Sequence, residues 1–342
     1  NVDFKVQTKA SLISSLVSGI VGISMALFGL GVWSLVGQQL SRQLLNTFFL
    51  WFYCRWRPAW EFSIESFKEM FGFGSKLLVS GLIDTIYKNI YYIVIGRFYD
   101  PDQLGQYTRA EQFKLIFSSN LTAVVQRVSY PVLSSIQSEP VRLREAYRRV
   151  IKLTMIVTFA CMLGLAAIAK PLIILLIGEK WLPAVPFLQI ICFSGMLYPL
   201  HAINLNILQV KGRSDLYLKL EIIKKIIAVI TIFIGIFWGI ECMLWGGVFV
   251  SFISFFLNSY YSADLIDYST KNQISDIFPF LIISLIVSFC IWLISFTEWS
   301  YIIILIIQII VGIGLYWFIS EKLPIQEYQE VRQLVFSLFK KK

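Results

Sequence analysis

The chain has 342 residues, 57% of them apolar and only 15% charged, and its mean hydropathy of +0.71 lies outside the range of soluble domains. A net charge of +9 would suggest nucleic acid in a soluble protein. Here the cations gather in loops beside apolar stretches, where anionic headgroups attract them, so a nucleic-acid partner is set aside. Cys54, Cys161, Cys192, Cys242 and Cys290 lie within or beside apolar stretches without CxxC spacing, so neither a disulfide framework nor a metal site is indicated, and they read as small packing residues.

A hydrocarbon core of roughly 30 Å needs about twenty helical residues, and about ten stretches meet that length. They lie near Ser11 to Phe28, Val32 to Phe52, Lys76 to Ile95, Gly105 to Tyr130, Val150 to Ile168, Pro183 to Val210, Leu216 to Trp238, Ile240 to Ala263, Ile277 to Phe296 and Trp299 to Ile319. The fold class expected is all-α and integral to the membrane, a polytopic bundle of helices. Connections after the odd-numbered spans hold few cations, chiefly Arg97, Lys170 and Lys180. The other side holds Arg55, Arg57, Lys68, Arg142, Arg144, Arg148, Arg149, Lys152, Lys211, Arg213, Lys219, Lys224, Lys225, Lys271 and the tail Lys340 to Lys342. Because Lys and Arg stay on the cytoplasmic side, both ends are placed there. The chain begins with Asn1 and no cleavable leader precedes the first span, so it reads as a fragment. Turns at Gly29 to Gly31 and Gly239 to Glu241 are short enough to make their flanking spans antiparallel neighbours.

One connection differs from the rest. Phe62 to Phe71 puts Phe67, Met70 and Phe71 on one helical face and Glu65, Lys68 and Glu69 on another, with Ser63 as N-cap and Gly72 as its end, the pattern of a short helix in the headgroup plane. The main internal boundary is drawn there. Glu139 to Lys152 is also basic with a helical pattern and reads as an anchor. Pro171, Pro183 and Pro186 suit helix starts, so a half-helix and a break are expected at the outer face, before the sixth span.

A charge inside a span costs roughly 2.5 to 3.5 kcal/mol on insertion scales, so it normally faces a cavity or a partner. In the third span Ser80, Asp84 and Lys88 repeat at i, i+4 and i+8, which aligns them in one stripe where Asp84 can neutralise Lys88, with Tyr87 and Tyr91 alongside. The fourth is polar over much of its circumference, with Arg109, Glu111, Gln112, Lys114, Ser118, Ser119, Asn120, Thr122, Gln126 and Arg127. Such a helix lines a hydrated space or packs against polar neighbours, as an internal ion pair would. Arg42, isolated in the second span, faces either the same space or a structural contact. His201, the sole histidine, has no carboxylate or Cys cluster beside it and reads as a packed side chain. No Walker loop, HExxH or GxSxG occurs, no catalytic residues are indicated, and the outer loops are too short for a catalytic domain. A transporter, not an enzyme, is the expectation, with no cofactor.

The runs FGLGVWSLVGQQL, RWRP, FGFGSKLLVSGL, IGRFYDPDQLGQYTRAEQ, RVSYPVLSSIQSEPVRLREAYRRV and GEKWLPAVPFLQI together resemble the Wzx-type lipopolysaccharide and capsule exporters of the multidrug/oligosaccharidyl-lipid/polysaccharide superfamily. The likeness covers nearly the whole chain and is most specific in GEKWLPAVPFLQI and the SYPVLSSIQ block. It implies two six-helix lobes around a central cavity, often with two further helices, and numbers the spans here as the fifth to the fourteenth. Residues 1–54 are then the last two helices of the N-terminal lobe, 55–75 an amphipathic linker, 76–265 the C-terminal lobe and 266–342 two additional helices with a basic tail. The four helices that would come first are absent from the sequence.

The resemblance further implies export of a polyprenyl-pyrophosphate-linked oligosaccharide across the cytoplasmic membrane of a bacterium, for O-antigen, capsule, exopolysaccharide or teichuronic acid. Its partners would be that substrate, membrane lipids, and the polysaccharide polymerase and chain-length machinery. A pyrophosphate needs cations in a hydrated cavity, and Lys88, Arg109, Lys114, Arg127 and Arg42, with Asp84 beside Lys88, are the candidate substrate-binding residues. Tyr87, Tyr91 and Tyr107 are candidates for stacking on sugar rings. A drug or small-cation exporter of the same fold would want carboxylates in the cavity instead of an excess of Lys and Arg. A membrane polymerase or glycosyltransferase using the same lipid carrier would show a long outer loop with arginines or an acidic catalytic pair.

Overall fold

The computed structural model describes residues 4–53, 63–64, 67–68, 71, 82, 85–86, 89–322 and 327–329. Helices and two short 3-10 turns make up their regular structure, and no strand occurs among them. They fall into two compact units, Asn1–Ser80 and Gly81–Lys342.

The first unit is a hairpin of α1 (Phe4–Leu27) and α2 (Val32–Tyr53). The turn is a glycine C-cap: the Leu30 N–H donates to Met25 O at 3.2 Å and the Gly29 N–H to Ala26 O at 3.0 Å, with Gly29 at φ +76°, the left-handed backbone that glycine adopts without a Cβ clash. In lipid, helices associate through close packing because the surrounding tails are as apolar as leucine. Gly22 and Gly37 provide it. A Cβ on Gly37 would stand 2.2 Å from Met25 Sδ, and one on Gly22 would stand 2.9 Å from Gln38 Cβ.

The second unit holds α3 (Ile90–Phe98), α4 (Pro101–Ser135), α5 (Pro140–Ile177), α6 (Ala184–Gly195), α7 (Tyr198–Val210), α8 (Ser214–Trp238), α9 (Ile240–Ile266), α10 (Thr270–Leu293) and α11 (Tyr301–Lys322). α5 is central and meets α4, α6, α10 and α11. Its inward stripe of Tyr147, Ile151, Met155, Phe159 and Met162 is almost wholly buried, the i, i+4, i+8 pattern of a core-facing helix. α8 and α9 form a second tight hairpin through Gly239, at φ +101°, while α6 and α7 fill the space between α4 and α9.

Six stretches are long and apolar enough to cross a bilayer: Thr8–Leu27, Pro140–Ile177, Ala184–Val210, Ile240–Ile266, Thr270–Phe296 and Tyr301–Ile319. The protein is a multi-pass membrane protein. Of the ten spans expected, α2, α4 and α8 are helices of sufficient length that carry too much polarity to join these six. Half of the third span lies outside the described residues, as does half of the Phe62 to Phe71 segment.

One of the expectations about prolines needs correction, the half-helix at Pro171. α5 runs without interruption through Pro171, although proline removes one backbone bond; the Gln189 amide of α6 donates to Ala166 O at 3.2 Å, beside the carbonyl that Pro171 leaves without its usual donor. The break expected before the sixth span is present: α5 ends at Ile177, a 3-10 turn spans Glu179–Trp181, and α6 begins at Ala184 after Pro183; the span then breaks a second time, at Met196 and Leu197. Pro199 lies in the first turn of α7 and disfavours a continuous helix into it.

Candidate functional site

α4 is the most polar long helix of the second unit, and its local chemistry explains how it holds together in an apolar setting. Pro101 occupies the first turn, where its missing N–H is no loss, and Asp102 adds a negative charge at the positive end of the helix dipole. Several of its polar side chains close on their own backbone: Thr108 donates to Leu104 O at 2.7 Å, Asn120 to Ile116 O at 2.7 Å, Thr122 to Ser118 O at 2.7 Å, and Ser119 to Leu115 O. Each satisfies a polar atom at no expense to the helical ladder.

The polar residues divide between two faces. Ala110, Ser118, Thr122, Ser129 and Leu133 are buried, on the side where α4 meets α5, α6 and α7. On that side Lys114 Nζ stands 2.7 Å from Glu111 Oε1, with side-chain exposures of 17% and 13%. The stem of Lys114 lies against Gly195, where a Cβ would come 3.1 Å from its Cγ. Lys114 is therefore part of an internal ion pair, with Tyr92, Tyr107 and Cys192 nearby.

On the opposite face Arg109, Gln112, Asn120 and Arg127 are exposed. Arg109 donates to Gln112 Oε1 at 2.9 Å and its guanidinium sits 5.0 Å from the centroid of the Trp181 ring. Arg127 forms no ion pair with the described residues. The step of eighteen residues from one to the other makes five helical turns, so both arginines share one azimuth, about 27 Å apart. The structure thus aligns Arg109 with Arg127 and turns Lys114 away from them. Asp84 and Lys88 lie outside the described residues. Arg42 belongs to the first unit, on α2. Tyr107 is buried, stacked on Tyr91 at 6.1 Å and edge-on to Tyr92 at 5.3 Å, so it packs the core and is not displayed for a sugar ring; Tyr87 lies outside the described residues.

Two features escaped the sequence. The first is an apolar groove of about 760 Å³ among α4, α5, α10 and α11, lined by Phe117, Val157, Cys161, Leu165, Gly312 and Tyr316, and floored by Tyr328. The second is a charge cluster at the basic stretch that opens α5. Arg148 donates to both oxygens of Asp276 at 2.5 and 2.6 Å, Arg144 to Asp267 at 2.8 Å and Lys152 to Glu327 at 2.7 Å. Tyr268 also donates to Asp276, at 2.6 Å. Burial, with the Asp276 contact, pushes the Tyr268 phenol far above its ordinary range, so it keeps its proton. At the exposed start of α8 the hydrogen bond from Arg213 holds the Asp215 carboxyl below its ordinary value.

The arrangement suits anion handling. Arginine forks donate two parallel N–H bonds to phosphate oxygens, and no cluster of metal-ligating residues occurs among the described residues. Residues 1–186 match the model of a family described as polysaccharide biosynthesis protein. The teichuronic acid biosynthesis protein TuaB of Bacillus subtilis is 30% identical over 230 residues, which is 67% of this chain and 48% of TuaB. The lipopolysaccharide biosynthesis protein WzxC of Escherichia coli is 27% identical over 53% of this chain and 37% of its own. The succinoglycan biosynthesis transport protein ExoT of Rhizobium meliloti is 26% identical over 58% and 40%. The chain spans about half the length of the curated relatives it matches, or less. Among solved structures, the lipid II flippase MurJ in an inward closed conformation superposes with a TM-score of 0.69 at 18% identity, over 91% of this chain and 66% of that one, which establishes a shared fold. The resemblance to Wzx-type exporters is thereby borne out, and the chain belongs to the polysaccharide biosynthesis protein family.

Proposed function

We propose that the protein flips a polyprenyl-pyrophosphate-linked oligosaccharide from the cytoplasmic to the outer leaflet of a bacterial cytoplasmic membrane, to supply polysaccharide synthesis. The observation that carries this is the exposed face of α4, where Arg109 and Arg127 stand in line along most of a bilayer's depth. Lipid does not tolerate such a face; a hydrated path for an anionic head group does. The apolar groove between α5 and α11 gives the lipid tail a place to remain in the hydrocarbon while the head crosses. The relatives named for teichuronic acid, lipopolysaccharide and succinoglycan biosynthesis support this substrate class.

Outward movement of negative charge is downhill when the interior is negative, by roughly 2.3 kcal/mol per charge per 100 mV. The membrane potential is therefore a sufficient driving force if the pyrophosphate crosses uncompensated. In this reading residues 1–54 end the N-terminal lobe, 55–75 link the lobes, 76–265 form the C-terminal lobe and 266–342 add two helices and a basic tail. Both ends are cytoplasmic, the protein acts as a transporter and not as an enzyme, and it works beside the polymerase and chain-length machinery. Lys88, with Asp84, and Arg42 join the two aligned arginines as head-group contacts. Replacing Lys88 and Arg109 by Ala in the complete protein and measuring leaflet transfer of the lipid-linked sugar in proteoliposomes tests it. A loss of transfer is expected; unchanged transfer discards the site.

A further inference from the structure

The α1–α2 hairpin contains a polar recess of about 150 Å³ lined by Ser11, Ser14, Gln39, Arg42, Gln43 and Asn46. The four α2 residues recur at i, i+3, i+4 and i+7, and the two serines at i and i+3, so each helix offers one polar stripe to the other. Three features of the recess point the same way. Arg42 makes no hydrogen bond or ion pair with the described residues, and no Asp or Glu occurs anywhere from Phe4 to Tyr53, so its guanidinium donors have no acidic counterpart on either helix. The Ser14 hydroxyl is wholly buried at the recess without a partner. Its neighbours behave differently: Ser18 donates to Ser15 O at 3.1 Å, Ser34 to Gly31 O at 2.7 Å and Ser41 to Gln38 O at 3.0 Å. Finally, every lining residue offers a donor and none is a carboxylate.

We propose that this recess is a binding site for a phosphoryl anion, with Arg42 as the fork and Ser14, Gln39 and Gln43 as additional donors. The volume, that of about five liquid waters, admits a phosphoryl group. The depth identifies its source. Arg42 lies ten residues from the start of α2 and eleven from its end, about 15 Å from either, in the middle of a hydrocarbon layer roughly 30 Å thick. Phosphates of resident lipids stay at the surfaces of that layer. A phosphoryl group reaches mid-depth only when it is being carried across, so the ligand is the pyrophosphate of the translocated lipid carrier. This rests on the flippase reading and extends it: the N-terminal hairpin holds a mid-membrane station for the head group.

The test is calorimetric binding of farnesyl pyrophosphate to the complete protein in nanodiscs, with inorganic pyrophosphate as competitor and the phosphatidylglycerol content varied. Wild type is expected to bind and to be insensitive to phosphatidylglycerol. Arg42→Gln should weaken binding at least about tenfold, Arg42→Lys less because the charge survives without the fork, and Ser14→Ala about threefold. If wild type binds and both Arg42→Gln and Ser14→Ala bind as tightly, the recess is not the site, while the flippase reading stands. If phosphatidylglycerol competes for wild type but not for Arg42→Gln, the recess serves a resident headgroup and the proposal falls. Absence of any binding by wild type sinks both readings. Should Arg42→Gln fail to assemble, judged by its melting profile, the Ser14→Ala and Arg42→Lys results decide.

Discussion

α4 and α11 are both long helices of one unit, yet they solve the problem of lipid in opposite ways. α11 is apolar around most of its surface, with Ile302, Ile306, Ile309, Ile310 and Ile313 exposed, and its few polar atoms turn inward to α10. Gln308 donates to Ile291 O and Ser295 Oγ, both at 2.8 Å, and Tyr316 pairs with Ser284. α4 pairs one set of charges internally and leaves another outward. The difference teaches that polarity alone does not mark a transport path: what matters is whether the polar groups are already satisfied within the helix bundle.

The comparison can be broken at several points. The largest effect should come from Lys114→Ala, which strands the Glu111 carboxylate in a mostly buried setting and should lower stability by about 3 kcal/mol, read by unfolding in mixed micelles; an unchanged midpoint would mean the pair is hydrated. Next, the double variant Arg109→Ala, Arg127→Ala should slow leaflet transfer at least about tenfold with little change in stability, since the Gln112 hydrogen bond of Arg109 is exposed and Arg127 has no ion-pair partner among the described residues. A loss of stability without a loss of transfer would assign these arginines to the scaffold. Third, Gly312→Phe should project into the apolar groove and slow transfer of a long polyprenyl carrier about threefold while sparing a short-chain analogue, a difference of roughly 0.6 kcal/mol. The smallest effect belongs to Ser119→Ala, whose hydroxyl bonds its own helix and whose loss should change stability by less than about 0.5 kcal/mol.

Much of this contrast is legible in the sequence, because hydropathy and length locate the apolar spans and because glycines at Gly29 and Gly239 punctuate the two hairpins. The fourth span was visible as polar on many sides, but assigning each side required the neighbours. Lys114 and Arg109 differ by only five residues, and the i, i+3 spacing of Glu111 and Lys114 is the signal that separates them. The break at Met196 was missed because Gly195, Met196 and Leu197 are ordinary members of an apolar span; Pro199, a few residues on, is the mark it leaves. The pairs Arg148 with Asp276 and Lys152 with Glu327 join residues far apart in the chain. Local pattern reads those cations only as anchors, whereas folding gives them partners. The groove likewise belongs to four helices at once and to no stretch of sequence.

The alignment of Arg109 with Arg127 has a consequence for how the chain tolerates change. Five whole turns act as a ruler whose divisions are single residues, so one deletion anywhere between the two would swing one guanidinium by about 100° around the helix axis and shorten the interval by about 1.5 Å. Point substitutions along that stretch leave the gauge intact, but a frame of eighteen does not survive becoming seventeen.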